Sequence, residues 1–123
     1  MTWNLKSNQP IYTQLLETIQ IRIISGFYPV GGKLPSVREL AAEAAVNPNT
    51  MQKALSELER SGLIHSQRTT GRFITEDTVM IRKLREDIAR EHIEKFFKSM
   101  EQIGFTNEET EELIIAITRR EEV

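Results

Sequence analysis

The sequence contains no cysteine. A disulfide framework and thiolate metal sites are therefore excluded, and the chain fits a reducing compartment. Histidine is almost as scarce. His65 and His92 stand far apart, so neither a metal site nor a cofactor is expected. His65 reads as structural or as a weak phosphate contact, and His92 as a helix-surface or dimer-interface residue. No apolar run approaches the ~18 residues that a membrane-spanning helix needs. The opening "MTWNLKSNQP" lacks the apolar stretch of a secretory leader, so a cytoplasmic location without a membrane partner is expected. Catalytic signatures are missing too. No paired histidine and carboxylate have plausible spacing, and no glycine loop runs into Lys-Ser/Thr; "GG" at 31–32 reads as a turn. An enzyme is not expected. There are no internal repeats and no low-complexity segment.

What is present suits a soluble globular protein: 39% of residues are hydrophobic and 28% charged. The length of 123 residues fits one domain, or a small domain with an appendage. The net charge of −2 conceals an asymmetry. Residues 1–75 hold 8 Lys/Arg against 5 Asp/Glu, or +3, while residues 76–123 hold 8 against 13, or −5. A mildly basic head before an acidic tail suggests two separate jobs.

Helix punctuation divides the chain further. Pro10 suits the first turn of a helix that Ser7 or Asn8 can cap, and Gly26 stops it. Ile11, Leu15, Ile19 and Ile23 recur every four residues between them. In "FYPVGGKLP", Pro29, Gly31, Gly32 and Pro35 forbid regular structure. "SVRE" from Ser36 to Glu39 is a capping box that opens a short, alanine-rich second helix. Asn47 then caps a third helix with Pro48 at its first position. The residue before a proline is pushed out of the α region, so Val46–Asn47 forms a tight turn between helices. Gly62 ends the third helix. "LIHS" (63–66) and "RFIT" (72–75) read as a hairpin around "QRTTG". A long helix without a breaker follows to Gly104, and the capping box "TNEE" (106–109) starts a last one.

The order helix, short helix, tight turn, helix, hairpin is that of a winged helix-turn-helix. In the third helix Met51, Ala54, Leu55 and Leu58 form one stripe, while Asn49, Gln52, Lys53 and Ser56 form another on a nearly opposite face. The first is a core seam. The second is either an ordinary solvated face or a reading face: Asn and Gln can pair bidentately with adenine, and Lys can reach guanine or phosphate. Glu57 and Glu59 lie later in the helix, away from the phosphates if its N-terminal half enters the groove.

Residues from about Gln9 to Ile74 resemble the DNA-binding domain of the GntR family of bacterial transcription regulators. The likeness is carried by "PIY.Q", "G.....G..LPS.REL", "V...T...AL..L...G.I" and "G.F". The short helical tail is similar to that of the YtrA subfamily, a small dimerisation unit. The resemblance implies a mostly α fold with a small β-hairpin: a winged helix-turn-helix over 1–76 and a two-helix dimerisation or effector segment over 77–123. It also implies double-stranded DNA as partner. Ser36 and Arg38 match positions that contact phosphate or groove; an intrahelical ion pair is the alternative for Arg38. Asn47, Asn49, Thr50 and Gln52 match base and phosphate contacts, and helical geometry adds Lys53. Arg68, Thr70, Gly71 and Arg72 match the wing, where arginine favours a narrow minor groove. Two departures limit the transfer. Several members have arginine where this chain has Pro48 and Gln52, so their guanine-reading pattern does not carry over. Thr69 replaces the first glycine of the wing's usual "G.G".

The tail is too short for the larger ligand-binding or aminotransferase-like domains of the family. Its apolar positions Ile81, Leu84, Ile88, Ile93, Phe96, Phe97, Met100, Leu113, Ile114 and Ile117 are too many for a lone helix pair to bury. A second copy would cover them, with part of the face packing on the chain's own winged helix. The expectation is a homodimeric regulator, a repressor, on a pseudo-palindromic operator, with an effector of unknown identity. The resemblance to the YtrA subfamily implies its own operon and transport genes as targets. The competing reading is a winged helix turned protein-interaction module without specific DNA readout.

Overall fold

The computed structural model describes residues 3–119. Five helices and a hairpin follow in the order α1 (Ile11–Ile24), α2 (Val37–Ala44), α3 (Pro48–Ser61), β1 (Ile64–Gln67), β2 (Gly71–Ile74), α4 (Thr78–Gln102) and α5 (Asn107–Arg119). The chain divides into two compact units, one ending at Arg85 and one beginning at Glu86. The division thus falls within α4, later than residues 76 and 77.

The first unit is built around α3. Its seam of Met51, Ala54, Leu55 and Leu58 is fully buried, as are Leu15 and Ile19 of α1 and Leu40 of α2. Each such Leu or Ile stabilises the fold by about 1.5–3 kcal/mol relative to exposure. Local chemistry sets the helix ends. At α2 the Glu39 N–H donates to Ser36 Oγ at 3.2 Å, and the Ser36 N–H donates to Glu39 Oε1 at 3.1 Å. At α3 the Asn49 N–H donates to Asn47 Oδ1 at 2.8 Å, with Pro48 in the first turn. Gly62 closes α3 in the left-handed region at φ 88°, a conformation glycine adopts without a Cβ penalty.

Three local expectations are corrected. Neither Ser7 nor Asn8 caps α1: Pro10 occupies the cap position, with no side-chain capping bond. Gln14 orders the preceding arm instead, donating to the Lys6 carbonyl at 2.8 Å and accepting from the Lys6 N–H at 2.6 Å. The strands begin and end one residue away from 63–66 and 72–75, because the Leu63 N–H is drawn back to the Leu58 carbonyl at 3.1 Å, closing α3. Finally, "GGKLP" is not wholly irregular. Lys33 bridges Phe73, the Leu34 N–H donates to the Arg72 carbonyl at 2.9 Å, and the Ile74 N–H donates to the Gly32 carbonyl at 2.8 Å. The wing therefore has an extra bridged edge beside β2.

Arg22 of α1 is fully buried, although the helix pattern does not mark it for the core. Its Nη1 donates to the Tyr28 hydroxyl at 2.6 Å, and Glu43 Oε1 lies at 3.6 Å. The guanidinium sits 4.2 Å from the Trp3 ring centroid, a cation–π contact that suits a desolvated arginine. Burial pushes the Tyr28 phenol above its usual 10.0, and the Arg22 hydrogen bond works against it.

In the second unit, Gly104 at φ 97° ends α4 and the Phe105 N–H returns to the Met100 carbonyl at 3.0 Å. The expected capping box is present: the Glu109 N–H donates to Thr106 Oγ1 at 3.1 Å, and the Thr106 N–H to Glu109 Oε1 at 3.0 Å. Ile93, Phe96, Ile103, Leu113, Ile115 and Ile117 remain exposed. Ile88, Phe97, Met100 and Ile114 are half-buried.

Ile81 and Leu84 leave the expected dimerisation set. Ile81 is buried in the core of the first unit, and Leu84 packs against that core. The apolar period of α4 marks a buried face and does not say which neighbour buries it. Ile81→Ala should therefore cost about 2–4 kcal/mol. The loss, read from the urea midpoint of unfolding, should not change with protein concentration; a concentration-dependent loss would return Ile81 to a subunit interface.

Candidate nucleic-acid interface

Asn47, Asn49, Gln52 and Lys53 are exposed along α3, and Thr50 is half-buried. The Asn47 carboxamide oxygen is committed to the helix cap. The Asn49 side chain has no hydrogen-bond partner among the described residues, which leaves its amide for an external one. Gln52 Nε2 donates to Ser56 Oγ at 3.1 Å, an exposed bond that a base edge can replace. Lys53 Nζ stands 4.7 Å from the Tyr12 ring centroid, so the side chain leans toward α1. Its alignment with Asn49 and Gln52 holds for the backbone position and less for the charge.

Arg38 is exposed and makes no ion pair among the described residues, so the intrahelical pair is absent. The Ser36 hydroxyl serves the capping box. Lys33, Leu34, Pro35 and Ser36 line a cleft shared with Thr70, Gly71 and Arg72 of the wing. The structure thus brings Ser36 and three wing residues together. Lys33 is the cation that sequence reasoning missed; its only signal was a basic residue directly before Leu34–Pro35. Gly71 has φ 113°, a conformation that favours glycine, and a Cβ there would lie 3.1 Å from the flexible Lys33 Cε, which would have to shift slightly.

At the wing, Arg68 and Thr70 are exposed, with Thr70 Oγ1 donating to Gln67 Oε1 at 3.3 Å. His65 lies opposite Phe73 in the register and stacks on it, with ring centroids 6.2 Å apart. Arg72 differs from expectation. Its Nε donates to Glu59 Oε1 in a close ion pair, and only 20% of its side chain is exposed. A guanidinium already neutralised by a carboxylate is a poor minor-groove probe. Glu57 forms a separate ion pair with Arg60. Both acidic residues of α3 are therefore matched by a cation.

Among the described residues no group of three or more potential ligands could hold a metal ion. Among the same residues no helix is long and apolar enough to cross a membrane.

A helix-turn-helix carrying a bridged hairpin wing, with an amide-bearing face on its second helix, defines a winged-helix DNA-binding module. Residues 11–74 match the model of the bacterial regulatory proteins of the gntR family, and the chain belongs to that family. It is a DNA-binding transcriptional regulator and not an enzyme. It is 41% identical over 113 residues to the HTH-type transcriptional regulator YhcF of Bacillus subtilis, covering 92% of this chain and 93% of that protein. The HTH-type transcriptional repressor YtrA of Bacillus subtilis is 44% identical over 72 residues, which span 58% of this chain and 55% of YtrA. A GntR family transcriptional regulator from Listeria monocytogenes superposes with a TM-score of 0.82 at 40% identity, over 94% of this chain and 98% of that one. The DNA-binding domain of AraR in complex with operator ORX1 has a TM-score of 0.52 at 29% identity, over 61% of this chain and 92% of that one.

The capping box at α2 carries a pH signature. The backbone hydrogen bond from Ser36 holds the Glu39 carboxyl below its usual 4.5. A depressed folded-state value stabilises the protein above the unfolded value and loses that stabilisation as pH falls through the folded one. The melting temperature should drop on acidification below 4.5, and Glu39→Gln, whose amide keeps the box without titrating, should flatten that drop. Thermal melts of the two proteins across the acid range check this.

Proposed function

We propose that the chain is a homodimeric repressor that binds a pseudo-palindromic operator. The observation that carries the reading is the exposed α3 face, where Asn49 is unpartnered among the described residues and Gln52 is held only by an exposed bond. Asn49, Thr50 and Gln52 fall in the first turn and a half of α3, the part of a recognition helix that meets base edges. Asn and Gln offer the donor and acceptor pair that adenine presents in the major groove. Asn47, Lys53, Ser36 and Arg38 secure the register on phosphates, and Lys33 joins them. Arg68, Thr70 and Gly71 supply the wing contact. The division of labour is residues 1–76 for DNA and 77–123 for assembly, except that the first turns of α4, with Ile81 and Leu84, complete the core of the DNA-binding unit.

The dimer is supported by the second unit. Phe96 is 44% exposed, Leu113 38% and Ile117 50%, and Ile93 and Ile103 are exposed beside them in sequence. Clusters of exposed apolar side chains mark association surfaces. A two-fold dimer would set two recognition helices about 34 Å apart, one turn of DNA. The repressor assignment rests on likeness to YtrA, a transcriptional repressor by name. Regulation of its own operon and of transport genes follows from the subfamily resemblance.

Duplexes selected from a random pool test the reading. Binding should weaken steeply as salt rises, through counterion release, and enriched half-sites should recur with a fixed spacing. Arg38→Ala should weaken every duplex alike, by about tenfold for one lost charged hydrogen bond. Gln52→Ala should instead relax preference at one base position by about 1–3 kcal/mol. If Asn49→Ala and Gln52→Ala leave both affinity and preference unchanged, α3 is not the reading helix.

A further inference from the structure

We propose that Glu59 is the positioning residue of the wing, fixing from the recognition helix the angle at which the hairpin meets DNA. The inference rests on the DNA-binding reading above. One carboxylate oxygen of Glu59 receives two donors: the Ser66 hydroxyl at 2.8 Å and the Arg72 Nε. Ser66 and Arg72 are direct register partners on β1 and β2. Glu59 therefore holds both strands of the hairpin at one rung. Each strand has four residues, and a hairpin that short leans on outside supports: the bridged edge at Lys33 beside β2, and Glu59 from α3.

The clasp is also partly shielded. The Glu59 and Arg72 side chains are 30% and 20% exposed, so solvent screens them less than an open surface pair. Burial pushes the Glu59 carboxyl up, but the hydrogen bonds from Arg72 and Ser66, with the Arg72 charge, together outweigh it and hold the carboxyl below its usual 4.5. Glu57, only two residues earlier, provides the contrast. Its partner Arg60 is three residues along the same helix and 77% exposed, and among the described residues neither side chain hydrogen-bonds to the wing.

The sign of the effect separates positioning from simple charge. Deleting a carboxylate near DNA ordinarily strengthens binding, because the phosphates lose a repulsive neighbour. Removing a residue that aims the wing does the reverse. The full-length chain is titrated with a duplex selected from a random pool, and wing amides 66–72 are followed by NMR relaxation without DNA. Glu59→Ala should bind about tenfold more weakly, the scale of a lost charged hydrogen bond. Its wing amides should gain mobility. Arg68→Ala should weaken the wild type yet add little to Glu59→Ala, because the wing is already misdirected. Glu57→Ala should bind as well as the wild type or better. A Glu59→Ala protein that binds like Glu57→Ala overturns the assignment, as does an unchanged wing. If Glu59→Ala fails to melt cooperatively, Glu59→Gln replaces it, with weaker binding and a looser wing again expected and wild-type values again fatal. If the wild type binds no duplex, the DNA reading falls by itself, and the amide mobilities still decide the clasp.

Discussion

The first unit depends on the turn between α2 and α3. Three residues must end one helix, reverse the chain and start the next. Ala45 makes this possible by entering the left-handed region at φ 56°, which lets the Val46 N–H reach back to the Ala41 carbonyl at 3.0 Å. That conformation costs about 1–2 kcal/mol for a residue with a Cβ. The cost is offset on both sides of the turn. Ala41 and Ala44 are small enough for α3 to approach closely, and they are buried against it together with Met51 and Ala54. Asn47 and Pro48 then open α3 at once, so no residue of the connection is idle. The start of α3 is thereby placed by backbone geometry, before any of its polar side chains has a role.

Charge pairing follows from the same arrangement. A recognition helix with two glutamates would repel phosphate if they were left alone. Glu57 is matched along the helix by Arg60, and Glu59 across to the wing by Arg72. Of the other exposed cations near this face, Lys33, Arg38 and Arg68 belong to loop, α2 and wing, while the charge of Lys53 on α3 leans over the Tyr12 ring toward α1. Positive charge therefore lies on the elements flanking α3, while neutral amides occupy its leading turns. That layout suits a helix that reads base edges while its neighbours hold the backbone. A chain with a net charge of −2 can serve this purpose because its basic residues are placed, not numerous.

The legible parts of the sequence were those governed by neighbours a few residues apart. Ser36 and Glu39, Asn47 and Pro48, Gly62, and Thr106 and Glu109 each set a helix end by a short-range rule, and each sits where that rule puts it. The rest was decided by distant partners. Nothing in the α1 pattern says that Arg22 will be enclosed by Trp3, Tyr28 and Glu43, because those partners come from three different segments. Lys33 bridges Phe73 across forty residues, and Arg72 finds Glu59 on another element. Ala45 carried no glycine signal, since the left-handed turn is imposed by the two helices it joins. Of the candidate site, the exposed stripe of Asn49, Gln52 and Lys53 on α3 followed from helical spacing and the wing residues from the family resemblance, whereas the commitment of Arg72 to a carboxylate followed from neither.

Ile81 shows why periodicity alone misassigns an interface. The α4 stripe records that a face is apolar along 25 residues, yet its first turns and its later turns belong to different units. Ile81 and Leu84 serve the core of the first unit, while Phe96 remains exposed in the second. A single helix thus has two burial problems with two solutions. Its early residues are covered within the chain, and its later ones, with Leu113 and Ile117 of α5, have too little chain around them to be covered in the same way. A winged helix this small comes to expose an apolar face by extending one helix past its own core, which adds only a second helix and a capped turn.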